Sequence, residues 1–191
     1  MNQKPLTFPR YYEDILVQSK QAGFPMLSDM YTGSFLRTLV CSKPAGRFLE
    51  LGTGTGLSLS WIVDAMDNES TVISIDNDSS YQLIAQRFFG DDSRVHLLCI
   101  DGNQWITENK EENFDLIFAD AWPGKYSMLD ETLAMLKAGG FYLIDDMLPQ
   151  ENWPEGHQDN VERLIAYLEQ RDDIQITKMN WSTGLILLTK R

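Results

Sequence analysis

The run Phe48-Leu49-Glu50-Leu51-Gly52-Thr53-Gly54-Thr55-Gly56 constrains this chain most, because an apolar strand ends on an acidic residue and then breaks into alternating glycines. A helical pattern follows at once. Glycine lets the backbone turn tightly and approach a ligand more closely than any side chain allows, and a helix start offers N–H donors. The arrangement predicts a flat, polar ligand against Gly52, Thr53, Gly54 and Gly56. Its spacing is G-x-G-x-G, whereas the nicotinamide fingerprint sets its third glycine one residue later. That offset favours S-adenosylmethionine. Glu50 agrees, since a carboxylate just before the loop can reach the cationic methionyl end of that cofactor or fix the loop around it. It would sit badly beside a pyrophosphate.

From this point strands and helices alternate. Strands are expected at 47–51, 71–75, 94–100, 114–119 and 140–145, and helices at 57–67, 79–89, 103–109, 126–137 and 158–170. Such alternation implies a parallel sheet covered on both faces. Two helices, at 11–22 and 29–41, precede it, so that 1–45 reads as an N-terminal helical segment and 46–191 as the α/β core of one domain, 1–191. The end changes character. Ile174–Lys178 and Leu185–Thr189 are β-rich runs joined by Asn180-Trp181-Ser182-Thr183-Gly184, a hairpin signature on a parallel sheet.

Composition limits the partners. Sixteen Lys and Arg stand against 28 Asp and Glu, a formal net charge of −12, so a nucleic acid would be repelled unless a basic patch existed, and no basic run occurs. Cys41 and Cys99 lie in apolar surroundings without metal-knuckle spacing and read as reduced core residues. Met1-Asn2-Gln3-Lys4-Pro5 is followed by no apolar signal segment, and no apolar run approaches membrane-spanning length. A cytoplasmic protein with no membrane partner is expected, and a homodimer is left open.

On the glycine loop, the strand ends and the terminal hairpin, residues 26–191 resemble the class I S-adenosylmethionine-dependent methyltransferases, and within them the small O-methyltransferases of the catechol and caffeoyl-CoA type. The resemblance implies a Rossmann-like doubly wound α/β fold. Its seven-stranded sheet would be mostly parallel, with an antiparallel C-terminal hairpin strand and helices on both faces.

Ligands of such sheets bind outside the carboxyl ends of the strands, and four strand ends are acidic. Asp76, with Asn77 beside it, is expected to accept hydrogen bonds from the ribose hydroxyls. Asp101 and Gly102 are expected at the adenine edge, although Asp101 equally suits a helix cap. Asp120 closes the fourth strand ahead of Trp122-Pro123-Gly124-Lys125-Tyr126, and Asp145-Asp146 closes the fifth. In the resembling family these positions bind magnesium or calcium beside the transferred methyl. Asp120, Asp145 and Asp146 are therefore the expected metal ligands, with Asp where the family has Asn at the third. Trp122 is expected to stack near adenine or substrate, against a plain packing role. His157, ending the long loop after the acidic pair, is a candidate general base, against a solvent-facing histidine at a helix start.

Two departures bear on the acceptor. The family's Asp-x-x-Lys-x-x-Tyr puts a catalytic lysine where this chain has Pro123; Tyr126 matches, and Lys125 stands two residues on. The catechol-type acidic residue before the last hairpin is missing, because Gln175 to Asn180 contains no carboxylate. Asp120, Lys125 and His157 are the catalytic candidates for O-methylation of a small hydroxylated molecule by in-line transfer. The alternatives are a non-catalytic S-adenosylmethionine-binding protein, a nicotinamide-dependent oxidoreductase on a similar sheet, and an RNA methyltransferase.

Overall fold

The computed structural model describes residues 7–150 and 153–191; the opening segment 1–6 and positions 151–152 of the long loop, both used in the sequence reading, lie outside the described residues. Two helices, α1 (Tyr12–Gln21) and α2 (Met30–Cys41), lead into β1 (Arg47–Leu51). The elements then alternate as α3 (Leu57–Ala65), β2 (Thr71–Asp76), α4 (Ser79–Phe89), β3 (Val95–Cys99), α5 (Gly102–Glu108) and β4 (Phe114–Ala119). After α6 (Leu129–Ala134), β5 (Leu136–Ile144) and α7 (His157–Glu169), the chain closes with β6 (Ile174–Met179) and β7 (Leu185–Lys190).

The seven strands form one sheet in the order β3-β2-β1-β4-β5-β7-β6. Pairing is parallel from β3 to β5 and antiparallel for β5 with β7 and β7 with β6. The order reverses between β1 and β4, which is where an open sheet leaves a crevice for a ligand. Central strands buried on both faces are predominantly apolar. Phe48, Leu49 and Leu51 of β1 and Leu116 to Ala119 of β4 are accordingly sealed.

Two apolar clusters flank the sheet. One gathers α1 to α4 around Trp61, Phe48 and Leu36; the other gathers α5 to α7 around Tyr142, Phe114 and Leu168. Each large side chain fully withdrawn from water contributes roughly 2–3 kcal/mol. Helices α1 and α2 share the first cluster, through Ile15, Leu36 and Val40, so the N-terminal segment packs into the same core as the sheet.

Three expectations are corrected. The helix expected at 126–137 is confined to Leu129–Ala134, because residues 122–128 make a tight loop and Met128 enters the helix with a positive φ of 54°. Strand β5 starts at Leu136, earlier than 140, and crosses a register shift between Phe114 and Leu116 of its neighbour. Cys41 and Cys99 are both exposed free thiols. Cys99 ends β3, which lies at the sheet edge, and Cys41 lies in the last turn of α2, so the apolar sequence around them does not cover them. No helix among the described residues is long and apolar enough to cross a membrane.

Candidate functional site

A cleft of about 720 Å³ runs along the carboxyl ends of β2, β1, β4 and β5. One half is lined by Gly52, Thr53, Gly54, Asp76, Asn77, Asp101 and Gly102, and the other by Asp120, Trp122, Lys125, Asp145, Asp146 and His157. Glu50 and Gly56 are not on its wall. Gly56 sits behind the loop against Ala85 and Phe89. Glu50 is fully buried beneath the loop.

The loop is shaped by hydrogen bonds that consume its own donors. Gly52 and Thr53 both donate from their backbone N–H to the Ile75 carbonyl, at 2.9 and 3.1 Å, and Gly54 donates to Asp76 Oδ2 at 2.7 Å. The N–H groups of Gly52, Thr53 and Gly54 are thus already spent. What the loop offers is a bare backbone surface. Gly54 has φ +50°, and a Cβ there would come within 2.7 Å of the Phe24 ring, so only glycine keeps both the turn and the space. Asp76 also accepts the Asp78 N–H on Oδ1 at 2.9 Å, which fixes its carboxylate while leaving lone pairs on both oxygens for a diol.

Glu50 reaches the loop through a relay. Gln82 Nε2 donates to Thr53 Oγ1 at 3.2 Å, Thr53 bonds to Ser74 Oγ at 2.6 Å, and Ser74 donates to Glu50 Oε2 at 2.5 Å. Burial pushes the Glu50 carboxyl up to about 7 against the opposing bonds from Ser74 and Ser58, and its Oε1 has no partner among the described residues. Asp101 caps α5, accepting the Gln104 N–H at 3.0 Å, and still faces the cleft.

At the far half, Asp120 follows β4 and Asp145-Asp146 follows β5, neighbouring strands of the sheet. Burial raises the Asp120 carboxyl well above its ordinary value, and the charges of Asp145 and Asp146 add to this while Lys125 opposes it. Asp145 is pushed up to about 7 by burial and then by the Asp146 charge. Its Oδ1 accepts the Asp146 N–H at 2.7 Å and the Thr183 hydroxyl, tying β5 to the hairpin loop. Ser182 in that loop donates to Asp29 Oδ1 at 2.7 Å, the same oxygen that caps α2 through Tyr31 N–H, so the N-terminal segment is moored beside the cleft.

Lys125, a catalytic candidate to which the role of the family lysine at the position held by Pro123 did not transfer, lines the cleft. The loop turns at Gly124, φ +78°, where a Cβ would meet Leu51 Cδ1 at 2.5 Å, and this turn sends Lys125 inward. Lys125 is only 5% exposed and donates from Nζ to the Asp145 carbonyl at 2.5 Å. Burial pulls its ammonium down, while the charges of Asp120, Asp146 and Asp145 hold it up. His157 is also corrected. It opens α7 but is buried, with ring centroids of Trp153, Tyr126 and Trp122 at 4.6, 5.1 and 5.9 Å. Trp122 itself is 55% exposed at the cleft mouth, free to stack on a planar ligand.

The divalent ion that the resemblance implies does not fit this donor set. Among the described residues no three His, Cys, Asp or Glu side chains are disposed to hold one ion. Asp145 is engaged by the hairpin loop, and a lysine ammonium already stands within the field of all three carboxylates. The sequence reading gave no site role to Phe24, Tyr81, Trp153 or Thr183, all of which line the cleft. Their signal is positional only, because none of them lies at the carboxyl end of a parallel strand.

The fold and cleft define a class I methyltransferase architecture. A family model described as O-methyltransferase matches residues 10–191, and the chain belongs to that family. A Mycolicibacterium vanbaalenii protein provisionally named O-methyltransferase is 27% identical over 117 residues, which cover 59% of this chain and 52% of the relative. The chain thus spans about half the length of the mycobacterial relatives it matches. A Dictyostelium discoideum protein provisionally named caffeoyl-CoA O-methyltransferase 2 is 26% identical over 179 residues, covering 86% of this chain and 78% of the relative. The crystal structure of an O-methyltransferase from Bacillus cereus in complex with SAH superposes with a TM-score of 0.82 at 20% identity, covering 97% of this chain and 93% of that one. At that identity the likeness speaks for the fold. Membership in the family displaces the nicotinamide oxidoreductase alternative.

Proposed function

We propose that this protein transfers the methyl group of S-adenosylmethionine to a hydroxyl oxygen of a small molecule. The observation that carries the reading is the continuity of the cleft. One wall joins the bare glycine backbone and the anchored Asp76 carboxylate to a second compartment of carboxylates and aromatic rings. When bound, S-adenosylmethionine supplies an electrophilic methyl and its own leaving group. The chain's residues then have to hold two molecules in line, exclude water and accept a proton.

Gly52 to Gly54 and Asp76 would hold the methionyl and ribose parts, and Asp101 the adenine edge. Trp122 and Tyr126 present flat surfaces to an acceptor ring, with the Tyr126 ring 5.2 Å from Lys125 Nζ. Asp120, whose carboxyl is raised well above its ordinary value by burial, lines the second compartment and is the candidate proton acceptor. The reading takes no step through magnesium or calcium. Calorimetry with S-adenosylmethionine and its demethylated product tests the first half, followed by methyl transfer to a panel of phenols and aliphatic alcohols. Absence of heat for both ligands would remove the proposal, whereas binding without turnover on any acceptor would favour a non-catalytic binding protein.

A further inference from the structure

We infer that the ammonium of Lys125, and not a bound divalent cation, supplies the positive charge that balances the carboxylates at the acceptor end of the cleft. Transfer should therefore be independent of divalent metal. The catalytic consequence rests on the methyltransferase reading; the charge assignment does not.

Pro123 and Gly124 form a turn in which Gly124 N–H donates to the Ser127 carbonyl at 2.7 Å and Tyr142 donates its hydroxyl to the Gly124 carbonyl. This turn is locked by buried neighbours, and it buries Lys125 at the cleft wall, which Pro123 also lines. Lysine is rarely buried without a compensating partner. Here Nζ is anchored on the Asp145 carbonyl at 2.5 Å, inside the field of Asp120, Asp145 and Asp146. A divalent ion would have to share this space with the ammonium. Like charges brought together in a poorly hydrated pocket repel strongly, so each cation opposes the other. The donors agree, because Asp145 is bonded to Thr183 and to the Asp146 N–H, Asp146 is held at φ +54°, and no three described side chains are placed to share an ion.

The test uses the full chain. Thermal unfolding is followed with magnesium, calcium, manganese or EDTA, and bound Mn²⁺ is counted by electron paramagnetic resonance. Wild type should show no metal-dependent shift and no stoichiometric Mn²⁺. Lys125→Met keeps most of the stem and removes the charge, so it should gain saturable Mn²⁺ binding and a metal-dependent rise in melting temperature. One tightly held Mn²⁺ in wild type overturns the inference, as does a folded Lys125→Met that stays indifferent to metal. If Lys125→Met does not fold, Lys125→Arg, which keeps the charge, must fold and remain free of Mn²⁺; Mn²⁺ uptake by it counts against the inference. Calorimetry with S-adenosylhomocysteine on the same metal-free samples separates the two readings. Loss of that binding would sink the methyltransferase proposal and leave the charge assignment standing.

Discussion

The Tyr126 hydroxyl lies 3.1 Å from Nε2 of His157, joining the loop after β4 to the first residue of α7. Burial, and then the Asp146 charge, push the Tyr126 phenol up to about 12, so it stays protonated and donates. His157 is held below its ordinary 6.5 by burial and by Lys125, against the pull of Asp146, and is neutral near pH 7. Nε2 is expected to accept, with the ring proton on Nδ1, a buried atom without a partner among the described residues. The imidazole is thereby held by the Tyr126 hydroxyl and is not a free base. With only two histidines in the chain, a ¹H–¹⁵N spectrum of the rings can resolve the tautomer. An Nε2–H tautomer for His157 at pH 7.5 would refute the assignment, and Tyr126→Phe should release the preference. Because the folded value is lowered, the unfolded chain binds more protons as pH falls through 6.5, so acidification below that point erodes stability.

Cofactor binding should fail by sterics at one loop residue and by lost hydrogen bonds at its partner. In Gly54→Val the branched side chain meets Phe24 and a φ of +50°, and calorimetry should detect no S-adenosylmethionine binding. Asp76→Ala removes the acceptor of the Gly54 and Asp78 N–H groups together with the ribose contacts. It should weaken binding by about 1.5–3 kcal/mol, roughly ten- to a hundredfold. Wild-type affinity in the valine variant would rule out the proposed seat for the cofactor.

Nucleic acid is predicted to be a poor partner. A formal charge of −12 leaves little to offset phosphate repulsion, and the acceptor end of the cleft adds three carboxylates to one lysine. Filter binding of transfer RNA at physiological salt should give no saturable retention. Tight binding that weakens steeply with added salt would restore the RNA methyltransferase alternative.

Much of the scaffold was legible because its signals are local. Alternating apolar runs, the glycine loop and the terminal hairpin each declare themselves within a few residues, and the strand-end acids follow from the sheet's polarity. The register of function within the 122–128 loop was not legible. With Pro123 at the family lysine's position, Lys125 stood as a catalytic candidate without that lysine's role, whereas its burial follows from the Gly124 turn and the Tyr142 hydroxyl contributed by β5. His157 was weighed as a surface residue because nothing near it in sequence announces that Trp122 and Tyr126 will enclose it. Glu50 was read as a ligand contact or as a residue that fixes the loop, and its route to the loop runs through Ser74, a residue 24 positions later.

That relay makes Glu50 a source of pH-dependent stability with a definite sign. Its carboxyl is raised from 4.5 to about 7, with burial the leading cause. Between those values the native state holds a proton that the unfolded chain has lost, so stability falls as pH rises through the window and the loss is complete above it. A shift of that size corresponds to roughly 3 kcal/mol as an upper bound. Glu50→Gln keeps a carbonyl oxygen for the Ser74 hydroxyl and removes the buried charge. Urea unfolding should show the variant more stable than wild type by about 1–3 kcal/mol at pH 8, with the difference vanishing near pH 4.5. Asp145, also raised to about 7, leaves a residual slope of the same sign in the variant. A glutamine variant less stable than wild type at pH 8 would mean that Glu50 is ionised and satisfied in the native protein, with its Oε1 partnered in solution.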